Sequence, residues 1–247
     1  MNSERSQTAV DSPEALAQST TAAASDNQQG TSNPSLTEDL ALALLNRRDL
    51  LSEDVENLAK NAAVKKSRKV RFAMAAHPRA PRHISLKLVR EFYNFDLMRY
   101  ALTPGVAADL KRAADELLVS RLASITLGER ISLARRGSES VAAALLLDKE
   151  SRVWQTALEN GRLTEAAVVR ALLRPNASAG LVRAVCHHTK WSPRHEIRMA
   201  LLRNAKTPLA RALEFARTLP PPQLRDILHT SHLPEKVKLY LRKDLKS

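Results

Sequence analysis

Glycine is scarce, with 6 in a chain of 247 residues. None forms a phosphate-cradling loop or a Gly-x-Ser-x-Gly turn, which removes the nucleotide loops and the nucleophile elbow from consideration. Aromatic residues make up 4% and long β-branched runs are missing, so nothing suggests a sheet-built core. Cys186 is the only cysteine; it excludes an intrachain disulfide and fits a reducing compartment. The longest apolar run, "VAAALLL" from Val141, is far short of the roughly 20 residues a membrane-spanning helix needs. The opening "MNSERSQTAVDSPEALAQ" has no apolar core and predicts no secretory signal. These absences predict a soluble cytoplasmic protein with no membrane partner.

What the chain does have is alanine, leucine and positive charge. Ala and Leu lose little entropy in a helix. Residues 1–63 carry four Lys or Arg against ten Asp or Glu, net −6, which leaves net +19 for residues 64–247. A basic folded part attracts anions: nucleic acid, an acidic protein or a membrane surface. Residues 1–35 are mostly Ser, Thr, Ala, Gln, Asn and acids. They cannot bury enough surface to offset ordering, and predict a disordered tail. Residues 36–247 predict one helical domain, opening with a helical hairpin over 37–61 and continuing as repeats over 64–247. Ser35 or Thr37 is the expected cap of the first helix, with Leu40 and Leu44 on its buried stripe, and Ser52 the expected cap of the second.

From residue 37 to the end the chain predicts about a dozen short helices and no sheet, and from residue 64 it reads as a series of short helical runs. "FAMAAHPRAPRHISLKLV" and "MALLRNAKTPLARALEF" punctuate alike: a run ends at His77 or Asn204, three residues intervene, and Pro81 or Pro208 opens the next. Similar junctions fall at Thr103, Arg136, Asp148, Asn160, Arg174 and His188, giving spacings of 26, 33, 12, 12, 14, 14 and 16 residues. In "ENGRLTEAAVVRALL", Asn160 and Gly161 are expected to stop one helix in the left-handed conformation, and Thr164 to cap the next. Thr207 is the expected cap ahead of Pro208. Leu201 and Leu213 are both expected in the core. Helices of this length are marginal alone and need neighbours to pack on. Two consecutive runs make a unit of about 24–30 residues, the scale of α-solenoid repeats. On these junctions and this period the chain resembles the HEAT-like and leucine-rich-repeat-variant helical proteins of bacteria. That resemblance implies an all-α, right-handed α-solenoid.

Little in the sequence points to catalysis. Seven histidines are present, but Cys186, His187 and His188 are consecutive and diverge around a helix. The second histidine of a zinc-protease helix is missing after "RHEIRMA". No metal and no cofactor is expected, and the histidines are read as caps on helix-end carbonyls. Trp154 and Trp191 are the aromatics a HEAT-like alkylpurine DNA glycosylase would use, with no partner acid standing out beside them.

The strongest signal is "KKSRKVRFAMAAHPRAPRHISLKLVR", residues 65–90, with nine Lys or Arg and no acid. On a helical wheel Val70, Ala73, Met74 and His77 share one side, while Lys65, Arg68, Lys69 and Arg71 share the other. Uncompensated like charges at this spacing repel, which suggests an anionic partner. Arg79, Arg82, Lys87 and Arg90 extend the patch. Two residues past four of the junctions stand Arg79, Arg162, Lys190 and Lys206, while Gly105, Ser138, Glu150 and Asn176 hold that slot at the others; Arg162 and Lys190 fall on one edge of the array and Lys206 on the other, the irregular spacing leaving Arg79 unplaced. "FYNFDLMRY" holds four of the nine aromatics and is read as a core junction, with base stacking as the alternative. The sequence therefore predicts a non-catalytic binding or scaffold module that holds a protein or peptide partner, no small-molecule substrate being indicated. Nucleic-acid binding through the basic face is the second reading, and a glycosylase the third.

Overall fold

The structure, a computed structural model, describes residues 36–47, 49–231 and 233–244. The expected disordered tail over residues 1–35 lies outside the described residues, as does Ser35. Among the described residues there are sixteen helices and no strand, so the chain is all-helical. Helices outnumber the expected dozen because several runs are broken within themselves. Ser67, for example, caps a new helix by accepting the Val70 N–H at 3.3 Å. The described residues fall into two compact units, divided between Ala114 and Asp115.

The first unit holds α1 (Glu38–Leu45), α2 (Ser52–Lys60), α3 (Ala62–Lys65), α4 (Arg68–Ala76), α5 (Arg82–Arg90) and α6 (Asn94–Leu102). α7 (Ala108–Arg121) runs across the boundary. α4 is the centre: α1, α2, α3, α5 and α6 all pack on it. Its residues Val70, Phe72, Met74 and Ala75 are buried. The Phe72 ring stacks on Phe92 at 5.7 Å and meets Tyr100 edge-on at 6.0 Å. Tyr100 Oη and Ser85 Oγ both donate to the Ala75 carbonyl, at 2.9 and 3.1 Å. This satisfies the end of α4, which would otherwise bury an unpaired acceptor. Burial pushes the Tyr100 hydroxyl up to about 12.

The second unit holds α8 (Leu127–Arg136), α9 (Glu139–Leu145), α10 (Ser151–Leu158), α11 (Glu165–Leu172), α12 (Ala179–His187), α13 (His195–Arg203), α14 (Leu209–Arg217), α15 (Pro221–Thr230) and α16 (Glu235–Asp244). Here alternate helices pack side by side. α10 lies against α8 and α12; α11 lies against α9 and α13; α13 also meets α15, and α14 meets α16.

Several local expectations are corrected. Among the described residues only Gly105 has a positive φ, of 82°. Asn160 therefore does not stop its helix through a left-handed backbone; its side chain does the work described below. Thr37 does cap α1, accepting the Leu40 N–H at 3.4 Å. Leu40 is 56% exposed, however, and the buried residues of α1 are Ala41 and Leu45. Ser52 is the first residue of α2; the cap position is Leu51, whose N–H donates to Asp54 Oδ2 at 3.0 Å. Thr207 donates to the Leu201 carbonyl at 2.6 Å instead of capping α14, and Pro208 takes the cap position. Leu201 is fully buried as expected. Leu213 is half-buried, and Ala212, Phe215 and Ala216 hold the core face of α14 instead.

Candidate functional site

The acid-free stretch of the sequence is not acid-free in space. Because α4 sits amid five helices, carboxylates from its neighbours reach its cations. Arg68 makes a two-pronged pair with the buried Asp96 of α6, Nε–Oδ2 at 2.5 Å and Nη2–Oδ1 at 2.8 Å. This hydrogen bond raises the already high pKa of the guanidinium, and its carbon stands 5.0 Å over the Tyr93 ring. Lys69 pairs with Glu38 of α1 at 3.2 Å; a Ser67 hydrogen bond first, and this Lys69 contact second, lower that carboxyl from its ordinary value. Arg71 is half-buried and pairs with Glu91 at 3.3 Å. Arg82 pairs with Asp109 at 2.8 Å. Lys65 lies on α3, separated from α4 by the Ser67 cap, so the four wheel positions do not form one helix face. Lys65, Arg79, Lys87 and Arg90 are exposed.

The cations two residues past the junctions have a structural origin. At four junctions a side chain accepts the backbone N–H of that residue: His77 Nδ1 from Arg79 at 3.2 Å, Asn160 Oδ1 from Arg162 at 2.8 Å, His188 Nδ1 from Lys190 at 3.1 Å, and Asn204 Oδ1 from Lys206 at 2.9 Å. The histidines thus receive an amide proton rather than capping a carbonyl. Asp148 Oδ1 makes the same turn with the Glu150 N–H at 2.9 Å, so the turn itself does not require a cation. Arg162 and Lys190 remain exposed, and the Lys190 ammonium lies 4.2 Å from the Trp191 ring centre.

Two of these junction side chains, Asn160 and Asn204, and the nearby Trp191, Lys206 and Arg211 also reach backbone carbonyls about one two-helix unit back. Asn160 Nδ2 donates to the carbonyls of Ala134 and Gly137, at 2.8 and 3.2 Å. Trp191 Nε1 donates to Leu158 O at 3.0 Å. Asn204 Nδ2 donates to Leu172 O at 2.6 Å. Arg211 reaches the Cys186 carbonyl, and Lys206 Nζ the Ala177 carbonyl. Orphan carbonyls at successive helix ends are thereby satisfied by the next helix in the row.

Among the described residues, grooves open at such ends in both units. In the first unit, a groove of about 250 Å³ is lined by His77, Pro78, Arg82, Gly105 and Asp109 among others, and its Arg82 and Asp109 neutralise each other. In the second unit, a groove of about 380 Å³ runs between the ends of α11 and α13. It is lined by Leu172, Leu173, Arg174, Pro175, Arg203, Asn204, Ala205, Lys206 and Thr230. Arg174 and Arg203 were not among the expected site residues. Their signal in the sequence is a spacing of 29 residues, one two-helix unit, readable only once that unit is known.

Trp154 and Trp191 are both buried, the latter fully, so neither ring offers a face on which a base could stack. Of the aromatic cluster, Phe92 and Tyr100 are core while Tyr93 and Phe95 are exposed. Burial pushes the Cys186 thiol up to about 11, which suppresses the thiolate. Among the described residues no three His, Cys, Asp or Glu side chains gather closely enough to hold a metal ion, and no helix is long and apolar enough to cross a membrane. No family model matches the chain, and neither a curated protein nor a solved structure matches it.

Proposed function

We propose that the chain is a HEAT-like α-solenoid module that works by holding a polypeptide partner on its helix-end surfaces, without catalysis. The alternation of packed helices in residues 115–247, with junction side chains bonded one two-helix unit back, supports the repeat reading. The observation that carries the choice of partner is the pairing of Arg68, Lys69, Arg71 and Arg82 with Asp96, Glu38, Glu91 and Asp109. A duplex-binding face needs a track of uncompensated cations to displace counterions, and four of the nine cations of the best candidate for that track are paired with carboxylates of the fold. Large apolar side chains stay in contact with water, notably Tyr93 and Leu173, and aromatic and Arg-rich patches of this kind suit protein partners.

The test is photo-crosslinking in cells from a benzoylphenylalanine placed at Tyr93 or at Leu173, with exposed Gln155 as control. A defined polypeptide adduct from one of the first two positions and not from Gln155 is the expected result. Adducts to nucleic acid alone, or the same pattern from all three positions, would overturn the reading.

A further inference from the structure

We propose that the groove between the ends of α11 and α13 is a docking site for a short acidic peptide segment of a partner protein, an acid side chain lying next to an apolar one. The inference rests on the polypeptide-binding reading above and names where, and by what chemistry, it operates.

The lining carries three cations, Arg174, Arg203 and Lys206, and no carboxylate among the described residues. A simpler purpose for these cations is to complement the negative ends of α11 and α13. Each helix end is worth only about half an elementary charge. Two ends therefore offset about one of the three positive charges. Carbonyls at these ends are also already engaged: Asn204 holds Leu172 O and Thr207 holds Leu201 O, while Lys206 holds the carbonyls of Pro175 and Ala177 in the connection after α11. Lys206 thus builds the wall of the groove. Arg174 and Arg203 have no acid partner among the described residues, in contrast to Arg170 with Glu139 and Arg194 with Glu165 nearby in the chain.

The rest of the lining chooses among anions. Leu172, Leu173 and Pro175 give it an apolar wall, and Leu173 is 51% exposed. Among the described residues no aromatic lines the groove, so the described lining gives a base no ring to stack on. Two guanidinium forks beside an aliphatic wall match carboxylates bidentately and leave a place for a neighbouring aliphatic side chain. A groove of about 380 Å³ is near the low end of ligand pockets, which suits a few residues of an extended peptide better than a folded surface.

The experiment uses the full chain and fluorescein-labelled, end-blocked peptides of sequence Glu-Leu-Glu-Leu and Gln-Leu-Gln-Leu, with labelled oligothymidylate as the competing polyanion. Anisotropy is read at about 50 mM salt, where an exposed ion pair is weakly screened. The Glu peptide is expected to bind at least tenfold more tightly than the Gln peptide. Changing Arg174→Gln and Arg203→Gln together should remove at least tenfold of that affinity, while Arg162→Gln, at a different junction, should change it less than twofold. Arg174 is exposed, so Arg174→Gln alone carries the test if the double variant melts early. Failure of the Glu peptide to bind, or equal binding by both peptides, overturns the proposal. Tight binding that the Arg changes do not touch overturns this site while leaving the polypeptide reading standing. Oligothymidylate binding that the same changes abolish overturns both.

Discussion

Removing one amide from the interior of the second unit should cost more than removing any surface ion pair. Asn160 is 1% exposed and makes three hydrogen bonds: two donated from Nδ2 to Ala134 O and Gly137 O, and one accepted by Oδ1 from the Arg162 N–H. Asn160→Ala leaves two carbonyls and one amide without that partner. At about 0.5–1.5 kcal/mol for each bond, the loss is about 3 kcal/mol. Asn160→Asp keeps the shape and the acceptor, but its carboxylate faces two carbonyls that need a donor. It should cost at least as much as Ala at neutral pH. Asn204, only half-buried, makes one donated and one accepted bond, and its Ala variant should lose about 1–2 kcal/mol. Urea unfolding followed by far-ultraviolet circular dichroism measures all three, and hydrogen exchange at the Arg162 amide localises the effect. An Asn160→Ala cost below about 0.5 kcal/mol, or an Asp variant milder than Ala, would refute the view that junction side chains tie successive helices together.

Leu201→Ala should destabilise by about 2–5 kcal/mol because the side chain is fully buried, and Leu213→Ala by clearly less because it is half-buried; equal values in chemical denaturation would mean that α14 faces another way. Gly137→Ala should be destabilising even though φ is −63°, since a Cβ there would stand 2.6 Å from the Leu133 carbonyl oxygen; a thermal melt at or above the parent midpoint would contradict this. Burial raises the Asp115 carboxyl above its ordinary value, against a hydrogen bond from Ser138. The folded state therefore holds its proton more tightly than the unfolded chain, so this group favours folding below the ordinary carboxylate range and opposes it as pH rises through the folded value. Asp115→Asn should raise stability at pH 7 and have little effect at pH 3, and a variant less stable at pH 7 would reverse the sign.

Helix ends were the most legible feature of the sequence. His77, Thr103, His188 and Asn204 close helices where the punctuation placed them, because chain-stopping chemistry is local. Thr164 caps α11 through the Ala167 N–H at 3.3 Å for the same reason. What was illegible depended on partners remote in sequence. The wheel around Arg68 showed no acid, since Asp96 lies 28 residues away and arrives only through packing. Thr207 resembled a cap, yet its hydroxyl found the Leu201 carbonyl six residues back. The slot occupied by Arg79, Arg162, Lys190 and Lys206 was visible as a pattern of cations. Its cause, an N–H closing a turn on the junction side chain, needed coordinates. The Arg174 and Arg203 groove was hidden because its two halves belong to different helical hairpins.

Arg68, Lys69, Arg71 and Arg82 of the basic segment are paired with carboxylates inside the fold, and the proposed partner is a polypeptide. The most direct measurement is a salt-series anisotropy titration of the whole protein with labelled single-stranded DNA, duplex DNA and RNA, repeated with Lys65, Arg68, Lys69 and Arg71 all changed to Gln. No saturable micromolar binding is expected at about 150 mM salt, where even non-specific binders reach about 1–100 µM. The quadruple change is expected to lower the melting temperature without altering any weak binding seen at low salt. Micromolar affinity at about 150 mM salt, with a log–log salt slope that flattens by roughly 0.7–0.9 for each phosphate contact removed by the quadruple change, would contradict this reading.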